Sequence, residues 1–221
     1  MGQRIAACAA EDPGVRIAAG FDRGDASALE RQPTVPPSLA EARVVIDFST
    51  DEGTRDAVRL ALRLRAGLLV GTTALTQTTL AALADAEREI PVMVCANTSL
   101  GVAVARRLVA EAARLLGDAY DVHLVETHHT KKLDAPSGTA LALVASLREG
   151  GREIPASNVV AVRAGDVVGD HIVQFAGPGE IIRIQHTATT RDLFARGALR
   201  AARWLAGRPA GRYRIEDTFG A

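Results

Sequence analysis

VVIDFSTDEGTRDAVRLALRLRAGLLVGTT, residues 44–73, reads as a strand, a helix and a second strand. Val44–Phe48 is a short apolar run of the kind that forms a buried strand. From Gly53 to Arg65 the residues Ala57, Ala61 and Leu64 recur at helical spacing. Leu68–Val70 follows as the second strand, and Gly71-Thr72-Thr73 is its C-terminal turn. Two strands joined through a helix are expected to be parallel, with a right-handed crossover.

The same alternation continues toward the C-terminus. Thr76–Glu89 is helical, with Leu80, Leu83 and Ala84 on one face. Pro91–Ala96 is a third strand and Leu100–Leu116 a long helix. The pattern predicts an α/β unit with a parallel sheet. Toward the N-terminus, Gly2–Ala10 looks helical. Val15–Phe21 (VRIAAGF) reads as a strand ending at Asp22-Arg23. In a dinucleotide-binding unit an acid at that place binds the ribose hydroxyls, and a nearby arginine can take a 2′-phosphate. That acid stands about 20 residues beyond the glycine-rich turn. Counting back from Asp22 reaches Gly2, where the turn would enter its helix. A lone acid after a strand is also an ordinary surface residue.

The second half has a different texture. Val122–Val125 is a strand, followed by a polar motif and a helix over about Thr139–Leu147. Val159–Arg163, His171–Ala176 and Ile181–His186 read as a β-meander in an antiparallel or mixed sheet. Arg191–Ala206 is a last helix, with Phe194, Ala198, Ala201, Ala202 and Leu205 on one side. The expected organisation is a Rossmann-like dinucleotide-binding domain, residues 1–99 with 192–221, and an α+β domain with a mixed sheet, residues 100–191.

Composition narrows the function classes. Of 221 residues 48% are hydrophobic, which excludes wholesale disorder, and only 4% are aromatic, so the core is aliphatic. Lys+Arg and Asp+Glu balance at 26 each, which argues against a general nucleic-acid or membrane-surface binder. Cys8 and Cys95 lie far apart in apolar surroundings, so core packing is the reading, not a disulfide or a metal site. No apolar stretch reaches the roughly 18 residues of a membrane span. With no secretory h-region at the N-terminus, a cytoplasmic protein is expected. Of the 26 basic residues only two are lysines, and they are adjacent: Lys131 and Lys132.

Those lysines lie in the densest polar segment, residues 126–139 (ETHHTKKLDAPSGT). Ser137-Gly138-Thr139 offers a cap and free N–H groups at a helix N-terminus, an anion site. His128 supplies a proton donor tunable near neutral pH, and Lys132 a compact cation. Together they suit a small substrate bearing carboxylates. Ser137 taken alone reads as an ordinary helix cap.

Residues 126–141 (ETHHTKKLDAPSGTAL) closely resemble the signature of the 4-hydroxy-tetrahydrodipicolinate (dihydrodipicolinate) reductase family, roughly E-x-H-H-x-x-K-x-D-x-P-S-G-T-A. VVIDFST (44–50), VGTT (70–73), ANTSLGV (96–102), RAGDVVGDH (163–171) and HTATTRDLFARGAL (186–199) extend the similarity over nearly the whole chain. The resemblance implies an NADPH- or NADH-dependent reductase of diaminopimelate and lysine biosynthesis. It implies His128 as proton donor and Lys132 as the second catalytic group. His129, Ser137, Gly138 and Thr139 would bind substrate. Gly71, Thr72, Thr73, Cys95, Ala96, Asn97 and Thr98 would face the nicotinamide end of the cofactor, and Asp22 with Arg23 its adenine ribose. No metal is required, and assembly as a homotetramer through the second domain's sheet is implied.

Three departures accompany the resemblance. The glycine-rich turn and first strand are not in the sequence, the usual GTTG reads Gly71-Thr72-Thr73-Ala74, and the segment before Val159 is short. Met1 is expected to be an internal methionine, with the natural start roughly 12–17 residues earlier by the spacing of a Rossmann first strand. The alternative is a truncated, weakly active or non-catalytic homologue that keeps the binding and oligomerising role. A semialdehyde dehydrogenase is disfavoured because neither cysteine lies near the His128 motif.

Overall fold

The computed structural model describes residues 1–22 and 37–220. In chain order its main elements are α1 (Gly2–Ala10), β1 (Val44–Asp47), α2 (Asp51–Leu64), β2 (Gly67–Val70), α3 (Gln77–Ala86), β3 (Pro91–Val94), α4 (Leu100–Leu116), β4 (Asp121–His128), α5 (Gly138–Glu149), β5 (Val159–Arg163), β6 (Gly169–Gly177), β7 (Glu180–Ala188), α6 (Asp192–Leu205) and β8 (Gly211–Tyr213). Contacts divide the chain into two units, Met1–Ser99 with Asp192–Ala221, and Leu100–Arg191.

The first unit carries a sheet of order β1-β2-β3-β8 in which every neighbouring pair is parallel. Leu68, Val70 and Val92 pack with Ala57, Val58 and Ala61 of α2 and Leu83 and Ala86 of α3. Each large aliphatic side chain buried there contributes about 1.5–3 kcal/mol. Hydroxyl caps start the helices: Thr50 accepts from Gly53 N for α2, and Thr76 from Thr79 N for α3. α6 packs on β1 and β2, and α1 packs on α6.

Two expectations for this unit change. Val15–Phe21 is not a strand: residues 15–22 carry no regular structure. A strand needs a ladder partner, and among the described residues β1 pairs with β2 alone. The run is also weakly suited to a strand, with two alanines and Gly20 in its second half. Conversely β8 is an unanticipated strand. Its three residues are too few for a periodic signal, and its place is given by pairing with β3.

The second unit is a mixed sheet of order β5-β4-β6-β7. The expected meander is only partly present. β6 and β7 form an antiparallel hairpin around Gly177-Pro178-Gly179, but β5 lies on the far side of β4 and runs parallel to it. In β4 burial alternates strictly, so Val122, Leu124, Glu126 and His128 share the covered face. Leu124, Val173 and Phe175 pack there against Val109 and Ala113 of α4 and Leu143 and Leu147 of α5. The strand is longer than its apolar run: it continues through Glu126, Thr127 and His128, so half of the polar motif is strand, not loop.

Candidate active site

Strand register assembles the second unit's polar cluster. Glu126 stands opposite His171 on β6, and His128 opposite Arg163 on β5. Glu126 is fully buried, and its carboxylate accepts from His128 Nδ1, from Ser137 N (3.1 Å) and from both terminal nitrogens of Arg163 (3.0 and 3.1 Å). Burial alone would raise this carboxyl, but the hydrogen bonds from Arg163 and His128 outweigh it and hold it below the usual range. A carboxylate only accepts, so His128 carries a hydrogen on Nδ1, leaving Nε2 as its working nitrogen. A methyl built on Gly169 would stand 3.0 Å from that Nε2, so glycine keeps this side of the imidazole open.

His171 lies against His128, ring centroids 5.0 Å apart and nearly perpendicular. Its Nε2 is 3.0 Å from Ser137 Oγ. Burial, with the neighbouring His128, pushes His171 down to about 4, so it is neutral at physiological pH. Glu126, His128 and His171 could each turn one ligand atom toward a common point. The carboxylate is already shared with the Arg163 guanidinium, which opposes a second cation there.

After β4 the chain turns through His129–Pro136 and enters α5. Ser137 is buried and caps that helix, accepting from Ala140 N at 3.1 Å. Gly138 and Thr139 form its first turn, with N–H groups directed out of the helix end. Lys132 Nζ donates to Asp134 at 2.8 Å and holds that carboxyl below its ordinary value. Lys132 is the more sheltered lysine; Lys131 is exposed. Arg191 donates to His129 Nε2 at 2.9 Å, which makes that nitrogen an acceptor and places the hydrogen on Nδ1. His129 Nδ1 is buried with no protein partner among the described residues. The structure therefore brings His128, Lys132, His129, Ser137, Gly138 and Thr139 onto one strand end, one turn and one helix start.

The residues expected to face a cofactor lie in the first unit, at the carboxyl ends of its parallel strands, the edge where such sheets bind nucleotides. Gly71–Thr73 follows β2 and Cys95–Thr98 follows β3, and Cys95 N donates to Val70 O at 2.8 Å. Some of these side chains are already committed. Thr72 is buried, donating to Asp47 at 2.8 Å and accepting from Ser49 N. Thr98 is buried and donates to Phe194 O at 2.7 Å. Gly197 of α6 packs so closely on Thr98 O that a Cβ would overlap it at 1.8 Å. The exposed members are Thr73 and Ala96. Asp22 lies exposed in irregular chain, and Arg23 lies outside the described residues.

The whole chain matches one family. Residues 1–98 match the model for the dihydrodipicolinate reductase N-terminus, and residues 101–219 that for its C-terminus. The chain belongs to the dihydrodipicolinate reductase family. It is 45% identical over 224 residues to the 4-hydroxy-tetrahydrodipicolinate reductase of Stenotrophomonas maltophilia (strain K279a), covering 98% of this chain and 92% of that one. The reductase of Anaeromyxobacter dehalogenans (strain 2CP-1 / ATCC BAA-258) is 36% identical over 253 residues, with 100% and 94% covered. The fold agrees with a dipicolinate-bound dihydrodipicolinate reductase from Paenisporosarcina sp. TG-14: TM-score 0.77, 20% identity, 96% of this chain and 92% of that one. Against the reductase pattern, Ala74 replaces the second glycine of GTTG, and it sits in the left-handed region at φ 57°. Glu126, Arg163, Gly169 and His171 took no part in the expected site, although all four lie in matched motifs. Their signal was the period-2 placement of Glu126 and His128, which becomes usable only once the register is known.

Proposed function

We propose that the chain reduces 4-hydroxy-tetrahydrodipicolinate to tetrahydrodipicolinate with NADH or NADPH, in the cytoplasm and as a homotetramer. The observation that carries the site assignment is the Glu126–His128 hydrogen bond beside the Ser137 helix start. It fixes the imidazole so that Nε2 faces outward from the Glu126 side, the geometry a proton donor needs.

The strand-end loops of the first unit fit a nicotinamide cofactor. They are rigidly held by Thr72 and Thr98, and Gly71 passes so close to Phe48 that a Cβ would overlap the ring at 2.1 Å. Gly71, Thr72, Thr73, Cys95, Ala96, Asn97 and Thr98 would hold the nicotinamide end, and Asp22 and Arg23 the adenine ribose. When bound, the nicotinamide supplies a hydride. Once the 4-hydroxyl has left as water, His128 in its imidazolium form, its Nδ1–H held by Glu126, would give the Nε2 proton to the carbon next to the reduced one. Lys132 and the N–H groups of Gly138 and Thr139 hold a substrate carboxylate, which takes the place of exposed Asp134 on the ammonium. His129 offers its Nδ1–H to the same substrate. Val160, Val162 and Ile181, exposed on the face of the second unit's sheet away from its helices, are the apolar surface for assembly.

No helix among the described residues is long and apolar enough to cross a membrane. The deciding experiment is NAD(P)H oxidation with freshly made product of dihydrodipicolinate synthase. Consumption of NAD(P)H that depends on that product is expected. No consumption by this chain or by an N-terminally extended one overturns the reading.

A further inference from the structure

We infer that Arg163 and Glu126 form a positioning pair that sets both His128 and the Lys132 loop for the reaction. The inference rests on the proposed roles of His128 and Lys132. A guanidinium has five N–H groups. In Arg163 each has an acceptor. Nε donates to Lys132 O (3.3 Å). One terminal nitrogen donates to Glu126 Oε2 (3.1 Å) and Val162 O (2.7 Å), the other to Glu126 Oε1 (3.0 Å) and Asp134 O (2.6 Å).

Two of those acceptors, the Lys132 and Asp134 carbonyls, lie on the loop that carries Lys132. The side-chain acceptor is the carboxylate that fixes His128. One planar group therefore ties the proposed proton donor to the proposed carboxylate-binding cation. Ser137 N, at the start of α5, closes on the same carboxylate. The fork geometry explains why arginine stands here: a lysine has three N–H groups and no plane, so it cannot span the carboxylate and both carbonyls.

A pair that acts only to stabilise the fold would change melting temperature but not the state of the His128 ring. The test separates these with three variants: Glu126→Gln, Arg163→Lys and His128→Gln. Each is assayed for kcat and for the KM of substrate and of NAD(P)H, and its melting temperature is measured. The His128 ring nitrogens are observed by 15N NMR. For Glu126→Gln the expected result is a kcat lowered about 30-fold, a cofactor KM within about twofold of the parent, and loss of the single Nδ1–H form. Arg163→Lys is expected to lower kcat by about tenfold or more and to raise the substrate KM, because the Lys132 loop is released.

A folded Glu126→Gln protein with kcat within about threefold of the parent, alongside an impaired His128→Gln, overturns the inference while leaving the role of His128 intact. A His128→Gln protein with full kcat overturns that role and the inference with it. Should Glu126→Gln not fold, the same readings on Arg163→Lys decide: an unchanged kcat and an unchanged His128 ring overturn the pair.

Discussion

Arg163 stands directly across the sheet from His128, yet its guanidinium closes on Glu126, two residues back along the same face. The offset has a geometric cause. On a strand, residues i and i+2 share a face, and a long side chain on the neighbouring strand can reach either. The buried carboxylate is the group that most needs a cation, so the guanidinium leans toward it. The imidazole keeps its outer nitrogen available as a result. A polar layer of Glu126, His128, Ser137 and His171 thus replaces hydrophobic core at the end of the sheet.

The two lysines separate cleanly by their surroundings. Lys132 is sheltered and paired with Asp134, while Lys131 is exposed on the turn. Lys132→Ala is expected to lower kcat/KM by about 30- to 1000-fold, the loss of roughly 2–4 kcal/mol from a charge-assisted contact to a carboxylate. Lys131→Ala should stay within about twofold of the parent. Lys132→Arg should not restore activity, because a planar fork does not replace a compact ammonium. Equal losses for the two alanine variants in a steady-state assay would remove Lys132 from the site.

Gly169 guards the open side of His128. Its φ is not positive, so alanine meets no backbone strain, and the tight new contacts are with the His128 ring, 3.0 Å from Nε2 and 3.3 Å from Cδ2. Gly169→Ala is therefore expected to keep the fold but lower kcat by about 10- to 100-fold through a small displacement of the ring. A melting temperature close to the parent's and a His128 ring signal that shifts in NMR would support this. Full kcat would show that Nε2 is not the working atom.

Ala74 pays for its position in the left-handed region. Placing a Cβ there costs about 1–2 kcal/mol, against roughly 0.5–1 kcal/mol of extra chain entropy when glycine is unfolded. Ala74→Gly should stabilise the protein by up to about 1 kcal/mol, a rise of about 1–3 °C in a chain of this size. Differential scanning calorimetry tests it, and a lower melting temperature in the glycine variant is the contrary result.

What could be read from the sequence depended on local signals. The run VVIDF, the helical spacing of Ala57, Ala61 and Leu64, and the Ser137 cap are local, and β1, α2 and α5 lie where they place them. The motif from Glu126 to Thr139 was legible as chemistry because His128, Lys132 and the helix start sit close along the chain. Arg163 and His171 were not, since they join the cluster through pairing of β5 and β6 with β4, and no local pattern states that register. The same limit explains Val15–Phe21: Val15 and Ile17 open it like a strand, but strand formation is decided by a partner elsewhere. It also explains β8, which is a strand only because β3 pairs with it.

His171 makes acid stability a readout of the polar layer. Its value is lowered from 6.5 to about 4 by burial and by His128, so the folded protein takes up its proton less readily than the unfolded chain. As pH falls from about 6.5 toward 4, the unfolded state binds a proton that the native state does not, and stability falls. Above about pH 7 both states are neutral and the residue contributes no pH dependence. His171→Gln removes the titration while keeping a side chain able to meet Ser137 Oγ. Urea unfolding at pH 7, 6, 5 and 4.5 should therefore show the parent losing more stability than the variant over this range. Parallel losses in the two proteins would mean that His171 is protonated in the native state, and that the ring packed against His128 carries a charge.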